Sequence, residues 1–353
     1  MTRSRLRDLG ITIGRLPAGA YNAITDVPGV WVGHRTLVYD QPRIARTGVT
    51  VVMPRSDASW KDHLYAGYHS LNGNGEMTGL LWLEESGLLG SPVALTNTHQ
   101  VGVVRDALAE YFVTKHQGLG FHLPVVSETW DGWLNDINAF HVAKEHVFEA
   151  IVSAGSGYVA EGNVGGGTGM ICHGFKGGIG TASRLVEAKS GSFTVGVLVQ
   201  ANHGDRRDLR VNGIPVGEKI RPDKVPLPWS VSQSAGSIVA IIATDAPLVA
   251  SQCKRLARRA TIGIGRVGAI GHNSSGDIFL TFATGNHIYA EAKGLIDVQV
   301  VPQHHLDPFF EAVIEAVEEA ILNALVAAET MVGYKGRTAY ALPLDELQRI
   351  IAQ

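Results

Sequence analysis

The sequence predicts a layered α/β fold, and three observations carry that prediction. Residues 193–200 (FTVGVLVQ) and 237–243 (SIVAIIA) are dense runs of Ile, Val and small residues that read as buried strands. Residues 307–330 read as one long helix, with Asp307 as its cap and Pro308 in its first turn. Its apolar residues recur at the helical period, with Glu315, Glu318 and Glu319 on the polar side. Hydrophobic strands accompanied by helices long enough to cover them stack as layers.

The remaining elements follow in chain order. Residues 30–38 and 48–53 read as short strands, bounded by Asp26-Val27-Pro28-Gly29 and by Pro42. A polar segment, 56–70, leads into Asn72-Gly73-Asn74-Gly75-Glu76, whose Asn-Gly pairs mark a tight turn or a backbone binding loop. A helix is expected from about Met77, a short strand at 93–96, and a turn at Asn97-Thr98-His99-Gln100. Val104, Ala107, Leu108 and Tyr111 give 101–114 a helical spacing. The apolar residues 123–126 are followed by the polar cluster Ser127-Glu128-Thr129-Trp130-Asp131-Gly132, and 142–153 reads as another helix. A glycine-dense segment spans 162–169 and continues through Gly177, Gly178 and Gly180. A basic-faced helix at 247–259, a strand at 277–284 and a short helix at 344–351 complete the series.

Composition narrows the function. The 353 residues are 45% hydrophobic and 18% charged, which suits one large globular domain or two. With 33 acidic and 30 basic side chains, the formal net charge of −3 offers neither a nucleic-acid footprint nor a polybasic membrane patch. Cys172 and Cys253 form no CxxC motif and are expected as buried free thiols. The first residues, MTRSRLRDLGITIGR, contain no apolar signal core, and no run reaches the roughly 18 apolar residues of a membrane span. A cytoplasmic protein is the expectation.

The most unusual stretch is 214–245. Its first half carries Pro215, Pro222, Pro226 and Pro228 among charged residues, a pattern that excludes helix and central strand. It runs up to Gly236-Ser237 at the mouth of the buried strand. Long structureless segments inside a compact chain are usually functional or linkers. A cut between Gly236 and Ser237 would turn Ser237 into an N-terminal nucleophile. The freed α-amino group, with an ordinary pKa of about 7.7–8.0, could act as its base. Gly236 would supply the backbone freedom for an N-to-O acyl shift.

Other motifs carry less. The glycine run contains neither GxxxxGK[ST] nor GxGxxG. The one GxGxxG, at 263–268, follows a helix and runs into the turn at Gly271 rather than opening a helix, so it reads as packing and not nucleotide binding. The 14 histidines include no HExxH; His141 and His146, and the adjacent His304 and His305, lack a third ligand at close spacing. No metal and no cofactor are expected. His272, Ser275 and Asp277 share one short segment, but no GxSxG elbow occurs, and the segment also suits a turn held by Asn and Ser. Glu128, Asp131 and Asp136 cluster around Trp130 and Trp133, a setting fit to hold a substrate ammonium group or to form a solvated acidic turn.

Read together, these segments form one ordered pattern. It comprises YNAITDVPGV at 21–30, NGNGEMTG at 72–79, LTNTH at 95–99, ETWDG at 128–132, LNDI at 134–137, GNVGGGTG at 162–169, VQAN at 199–202, GSI at 236–238 and SGDIF at 275–279. The chain resembles, over nearly its full length, the self-processing aminopeptidases of the DmpA type: the L-aminopeptidase/D-amidase-esterases and the β-peptidyl aminopeptidases. The resemblance implies an α/β fold, a four-layer α-β-β-α sandwich of the DmpA/ornithine acetyltransferase type. It implies a single catalytic domain, 1–353, self-cleaved into an α chain 1–236 and a β chain 237–353, with αβ units assembled into a homo-oligomer. The implied substrates are short peptides, amides or esters with a free amino group. Ser237 matches the nucleophile and Asn202 the oxyanion donor. Ser275 and Asp277 match the groups that orient the new amine, Gly236-Ser237 the cleaved bond, and Glu128 the carboxylate that receives the substrate amine.

Position 130 departs from part of the family. Members active on D-residues can carry Tyr there, whereas this chain has Trp130, which puts D-amidase activity and the accepted side-chain size in question. Two other classes remain alongside. An acyltransferase of the ornithine acetyltransferase type would use Thr as nucleophile, against Ser237 here. A non-catalytic binding protein on the same fold would keep its chain intact.

Overall fold

The computed structural model describes residues 4–116, 121–229 and 236–353. The end of the proline-rich stretch, residues 230–235, lies outside the described residues. Strand β1 (Trp31–Tyr39) is followed by β2 (Ala45–Met53), β3 (Asp62–Gly73), helix α1 (Leu80–Ser86) and the two-residue β4 (Leu88–Leu89). Next come β5 (Val93–Asn97), α2 (Val101–Lys115), β6 (Val125–Thr129) and α3 (Lys144–Val152). A small hairpin of β7 (Ile171–Cys172) and β8 (Phe175–Lys176) precedes the long pair β9 (Gly178–Ala188) and β10 (Gly191–Asn202). One helical turn, α4 (Val216–Lys219), leads to β11 (Ser237–Thr244), α5 (Ala250–Arg266), β12 (Gly276–Tyr289) and α6 (Asp307–Ala327). A second small hairpin, β13 (Met331–Val332) with β14 (Thr338–Ala339), and α7 (Leu344–Ile351) complete the chain.

These elements stack as four layers. One sheet has the order β1-β2-β5-β6 and the other the order β4-β3-β12-β11-β10-β9. Val52, Leu95 and Val125 of the first sheet pack against Leu198, Val239, Ile241 and Leu280 of the second in one apolar cluster. Helices α2 and α3 cover the outer face of the first sheet, and α5 and α6 cover that of the second. The α-β-β-α sandwich is therefore present.

Strand β11 shows why its sequence is uniformly apolar. Ile238, Ala240 and Ile242 face the helices, while Val239, Ile241 and Ala243 face the opposite sheet. A strand buried on both faces cannot alternate polar and apolar residues. Its central place fixes Ser237, at its first position, at one end of the sandwich core.

Several expectations change. The polar segment 56–70 is strand β3 from Asp62 on: Leu64 and Ala66 are buried between the sheets with Tyr68 against them, while Tyr65 packs on the helix side. Gly178 and Gly180 belong to strand β9, not to a continued glycine loop; a Cβ on Gly180 would lie 1.9 Å from the Ala320 carbonyl of α6, so glycine lets helix and strand backbones touch. A helical turn, α4, forms after Pro215, where Val216 and Gly217 are buried. The prolines leave these four positions free and act only on the chain around them. Finally, Glu315, Glu318 and Glu319 on α6 face no solvent. They are buried and receive Arg184, Arg266 and Arg7, since the N-terminal segment and β9 close over the helix. Asp307 is the first residue of α6 and not its cap, and Pro308 keeps its first-turn place. The GxGxxG segment starts inside α5, where a Cβ on Gly263 would meet Val317 of α6 at 2.7 Å; Gly265 has open space beside it, and Gly268 takes a left-handed turn against the Asp208 carbonyl.

Candidate active site

Ser237 stands between two neighbouring strands. Antiparallel pairing sets Asn202, the last residue of β10, directly opposite Ser237. Parallel pairing sets Gly276 beside Ser237 and Asp277 beside Ile238. Directly opposed residues of an antiparallel pair project to the same face. Ser237 and Asn202 thus share the face that looks toward the other sheet, as do Val239 and Leu198 further along the two strands.

The Ser237 hydroxyl donates to the Gly236 carbonyl at 2.8 Å. The same carbonyl accepts from the backbone N–H of Gly276 at 3.3 Å. The bond to be tested for cleavage therefore meets the hydroxyl on one side and a backbone donor on another. Gly236 is not in the left-handed region. It is glycine for closeness: a Cβ would lie 2.7 Å from the Asn202 carbonyl oxygen and 2.8 Å from the His203 Cα. Proximity, more than the freedom argued from the sequence, accounts for it.

Beside Ser237, a short polar chain is held on neutral donors. Ser275 Oγ donates to Asp277 Oδ1 at 2.7 Å, and Asn72 Nδ2 donates to Asp277 Oδ2 at 2.8 Å. Burial pushes the Asp277 carboxyl above its ordinary range, with the Ser275 and Asn72 bonds working against that rise. Asn202 is fixed at both ends: its Oδ1 accepts from Ile171 N–H at 2.8 Å and its Nδ2 donates to the Trp130 carbonyl at 3.0 Å. An amide nitrogen has two hydrogens, so one donor of Asn202 remains for a reacting oxygen.

Ser237, Asn202, Glu128, Trp130 and Thr98 line one cleft of about 660 Å³. Glu128, at the end of β6, is buried; its Oε1 accepts from Glu76 N–H at 3.0 Å and its Oε2 from the Thr98 hydroxyl. Burial raises its pKa, against the Thr98 and Glu76 bonds that favour the charge. Among the described residues no cation pairs with it. Trp130 is 40% exposed, with its indole laid on Gly132, where a Cβ would come within 2.6 Å of the ring.

The other acidic and histidine candidates lie elsewhere. Asp131 is fully buried against Asn135, its pKa pushed up to about 7 by desolvation, and Asp136 is paired with Arg43. Trp133 stacks edge-on with Trp229. The His272 side chain approaches Asp205 at 3.5 Å, while Ser275 bonds Asp277, so these residues form no serine–histidine–aspartate relay. Two donor sets lie within metal-binding reach of one another, Cys172/His173/His203 and Asp205/Asp208/His272. Each is engaged internally, through Cys172 Sγ with His203 Nδ1 and His173 Nδ1 with the Asp205 carbonyl in the first set, and His272 with Asp205 in the second. Both cysteines are buried free thiols.

Comparison with known proteins supplies the family. The family model for Peptidase family S58 matches residues 22–339. The chain belongs to peptidase family S58. Over 364 residues it is 48% identical to a beta-peptidyl aminopeptidase, BapA, of Sphingosinicella microcystinivorans, covering 98% of this chain and 91% of that protein. A Burkholderia sp. beta-aminopeptidase structure superposes with a TM-score of 0.93 at 51% identity, covering 99% of this chain and 98% of the other. The L-aminopeptidase D-Ala-esterase/amidase of Ochrobactrum anthropi, described as a prototype for the serine aminopeptidases and a variant of the Ntn hydrolase fold, superposes at 0.92 with 45% identity over 99% and 98% of the two chains. Membership of S58 makes the protein a hydrolase of the aminopeptidase kind.

Some parts of this S58 site escape sequence reasoning. Asn72, Thr98, the Glu76 N–H and the Gly276 N–H hold the acid groups and the Gly236 carbonyl. Their signals in the sequence were the Asn-Gly pairs at 72–75, read as a tight turn or a backbone binding loop, and the turn at 97–100; neither assigned these groups a role. The roles arise from contacts across 30 to 205 positions of chain.

Proposed function

We propose that the chain cuts itself between Gly236 and Ser237, giving an α chain 1–236 and a β chain 237–353, and that the new Ser237 is the nucleophile of an aminopeptidase. The observation that carries this reading is Glu128: a buried carboxylate with no cation paired to it among the described residues, opening on the same cleft as Ser237. A substrate's N-terminal ammonium supplies the missing charge and sets its first carbonyl before Ser237. The Ser237 amine takes the hydroxyl proton and returns it to the leaving amine. Asn202 donates to the tetrahedral oxyanion, a contribution of about 2.7–4 kcal/mol for one such donor. Ser275 and Asp277 orient the amine, and water releases the acyl-enzyme.

The relatives' names favour β-amino acids as the residues released. Trp130 forms one wall of the acceptor side, where its fixed indole limits bulky or D-configured residues. Assembly of αβ units into a homo-oligomer fits the exposed apolar residues Leu295, Ile296, Val298 and Val300. The two free thiols suit a reducing, cytoplasmic setting.

The test is hydrolysis of matched short peptides that begin with a β-amino acid, free or N-acetylated. The reading expects cleavage of the free form only, and a Glu128→Ala enzyme that no longer distinguishes the two. Equal hydrolysis of the acetylated peptide by the unaltered enzyme would remove Glu128 from its role.

A further inference from the structure

The aminopeptidase mechanism has a base, the Ser237 amine, that does not exist until the chain has been cut. Self-cleavage therefore needs other groups, and the structure gathers several around Gly236. A pocket of about 20 Å³ adjoins this residue, lined by Gly236, His203, Asp205, His272, Ser275 and Asp277. A volume near 10–15 Å³ admits one water when two to four polar partners surround it. His203 is packed directly beneath Gly236, its Cα 2.8 Å from the place a Gly236 Cβ would take. Its ring is buried and edge-on to His173, its Nδ1 is 3.8 Å from Cys172 Sγ, and its Nε2 finds no partner among the described residues. A buried imidazole nitrogen left without a partner is costly, so the fold has a reason to put a polar ligand there.

We propose that this pocket binds a single water, held by His203 Nε2, and that this water completes self-cleavage of the Gly236–Ser237 bond; the inference rests on the self-processing reading above. In the first step Ser237 Oγ adds to the Gly236 carbonyl carbon while the Gly276 N–H stabilises the carbonyl oxygen. The C–N bond breaks, the hydroxyl proton goes to the Ser237 nitrogen, and an ester joins Gly236 to Oγ. In the second step the pocket water adds to the ester carbon and gives its proton to His203 Nε2. The C–O bond breaks, His203 passes that proton to Ser237 Oγ, and the Gly236 carboxyl is released. Burial lowers the His203 pKa, with His173 and His272 adding to the effect, so the imidazole is neutral and free to accept a proton, though a weaker base than an exposed histidine. The facing carboxyls of Asp205 and Asp277 already have partners in His272 and in Ser275 and Asn72.

The experiment compares the unaltered full chain with His203→Phe by intact mass after timed synthesis, with and without hydroxylamine, which cleaves esters and leaves a hydroxamate on Gly236. The expected result is a variant that reaches the ester and stalls. Processing slows by about 100-fold, as for loss of a general base, and hydroxylamine converts the stalled chain to a hydroxamate-ended α chain. Processing of His203→Phe within twofold of the unaltered chain overturns the proposal and leaves water activation to the new amine. A folded variant that stays whole in hydroxylamine also overturns it, because the block then precedes the ester. If His203→Phe melts far below the unaltered protein, His203→Gln is read by the same criteria. An unaltered chain that never divides refutes self-processing itself, a result distinct from any of these.

Discussion

Glu319 and Glu128 are both buried carboxylates, and the fold treats them in opposite ways. Glu319 lies on α6 among Arg184 Nη2 at 2.7 Å, Arg7 Nε at 2.7 Å and Asn22 Nδ2 at 2.5 Å. Burial pushes its pKa up, yet the Arg7 bond and the charges of Arg184 and Arg7 outweigh this, and the net shift is downward. Among the described residues Glu128 receives a backbone N–H and a hydroxyl but no cation, so burial prevails and its pKa rises. The structural carboxylate is saturated by its own protein, whereas the cleft carboxylate is left short by one cation. That deficit separates a site from a core, more than burial or acidity alone.

Several changes would break or sharpen this contrast. The largest effect belongs to Ser237→Ala, which should abolish processing and lower peptide hydrolysis by at least about 10⁴-fold; a Ser237→Ala protein that divides normally and hydrolyses peptides removes the basis for calling this end of the fold a site. On the core side, Arg184→Met leaves Glu315 with only the backbone N–H groups of Arg15 and Leu16 among the described residues, and Glu319 with one arginine fewer. Denaturant unfolding should show a loss of about 3–5 kcal/mol, and a loss under 1 kcal/mol would mean the network is not what supports α6.

Glu128→Gln should act in the reverse sense on function and stability. A charged hydrogen-bonded pair at an interface is worth about 2–5 kcal/mol when one partner is truncated, so kcat/KM should fall by about 30-fold or more. The folded-state pKa of Glu128 is raised, so its ionisation is disfavoured by the fold: the stability tied to its neutral form is present at low pH and lost as pH rises through the folded value. Glutamine removes that penalty, and the neutral-pH melting temperature should hold or rise; a clear drop would mark Glu128 as structural. The smallest expected effect is in pH dependence. Competitive inhibition of the unaltered enzyme by β-alanine should weaken as pH falls through the raised Glu128 pKa, beginning above the ordinary carboxylate value of about 4.3, and this dependence should vanish in Glu128→Gln.

How much of this was legible beforehand follows the range of the interactions. The strand that carries Ser237 was readable because burial on both faces writes an unbroken apolar run. The helix α6 was readable from its period and Pro308, but its acidic residues were misplaced: solvent is the usual partner of a glutamate, and Arg184 is more than 130 positions away in sequence. Strands β3 and β9 were obscured because their glycines reflect close packing, Gly67 against α5 and Gly180 against α6, which local pattern does not encode. Ser237, Asn202, Ser275, Asp277 and Glu128 were indicated by ordered segments resembling a family, and the structure brings them to one end of the sandwich. Asn72 and the Gly276 N–H were missed as functional groups because one looked like a turn residue and the other has no side chain.

The central claim, that Ser237 is a nucleophile released by cleavage at its own N-terminal side, is tested most directly by the mass of the denatured protein together with the N-terminal sequence of its fragments. The account predicts two chains, the smaller beginning at Ser237 and ending at Gln353. A single chain of 37.7 kDa that nonetheless hydrolyses peptides would contradict it.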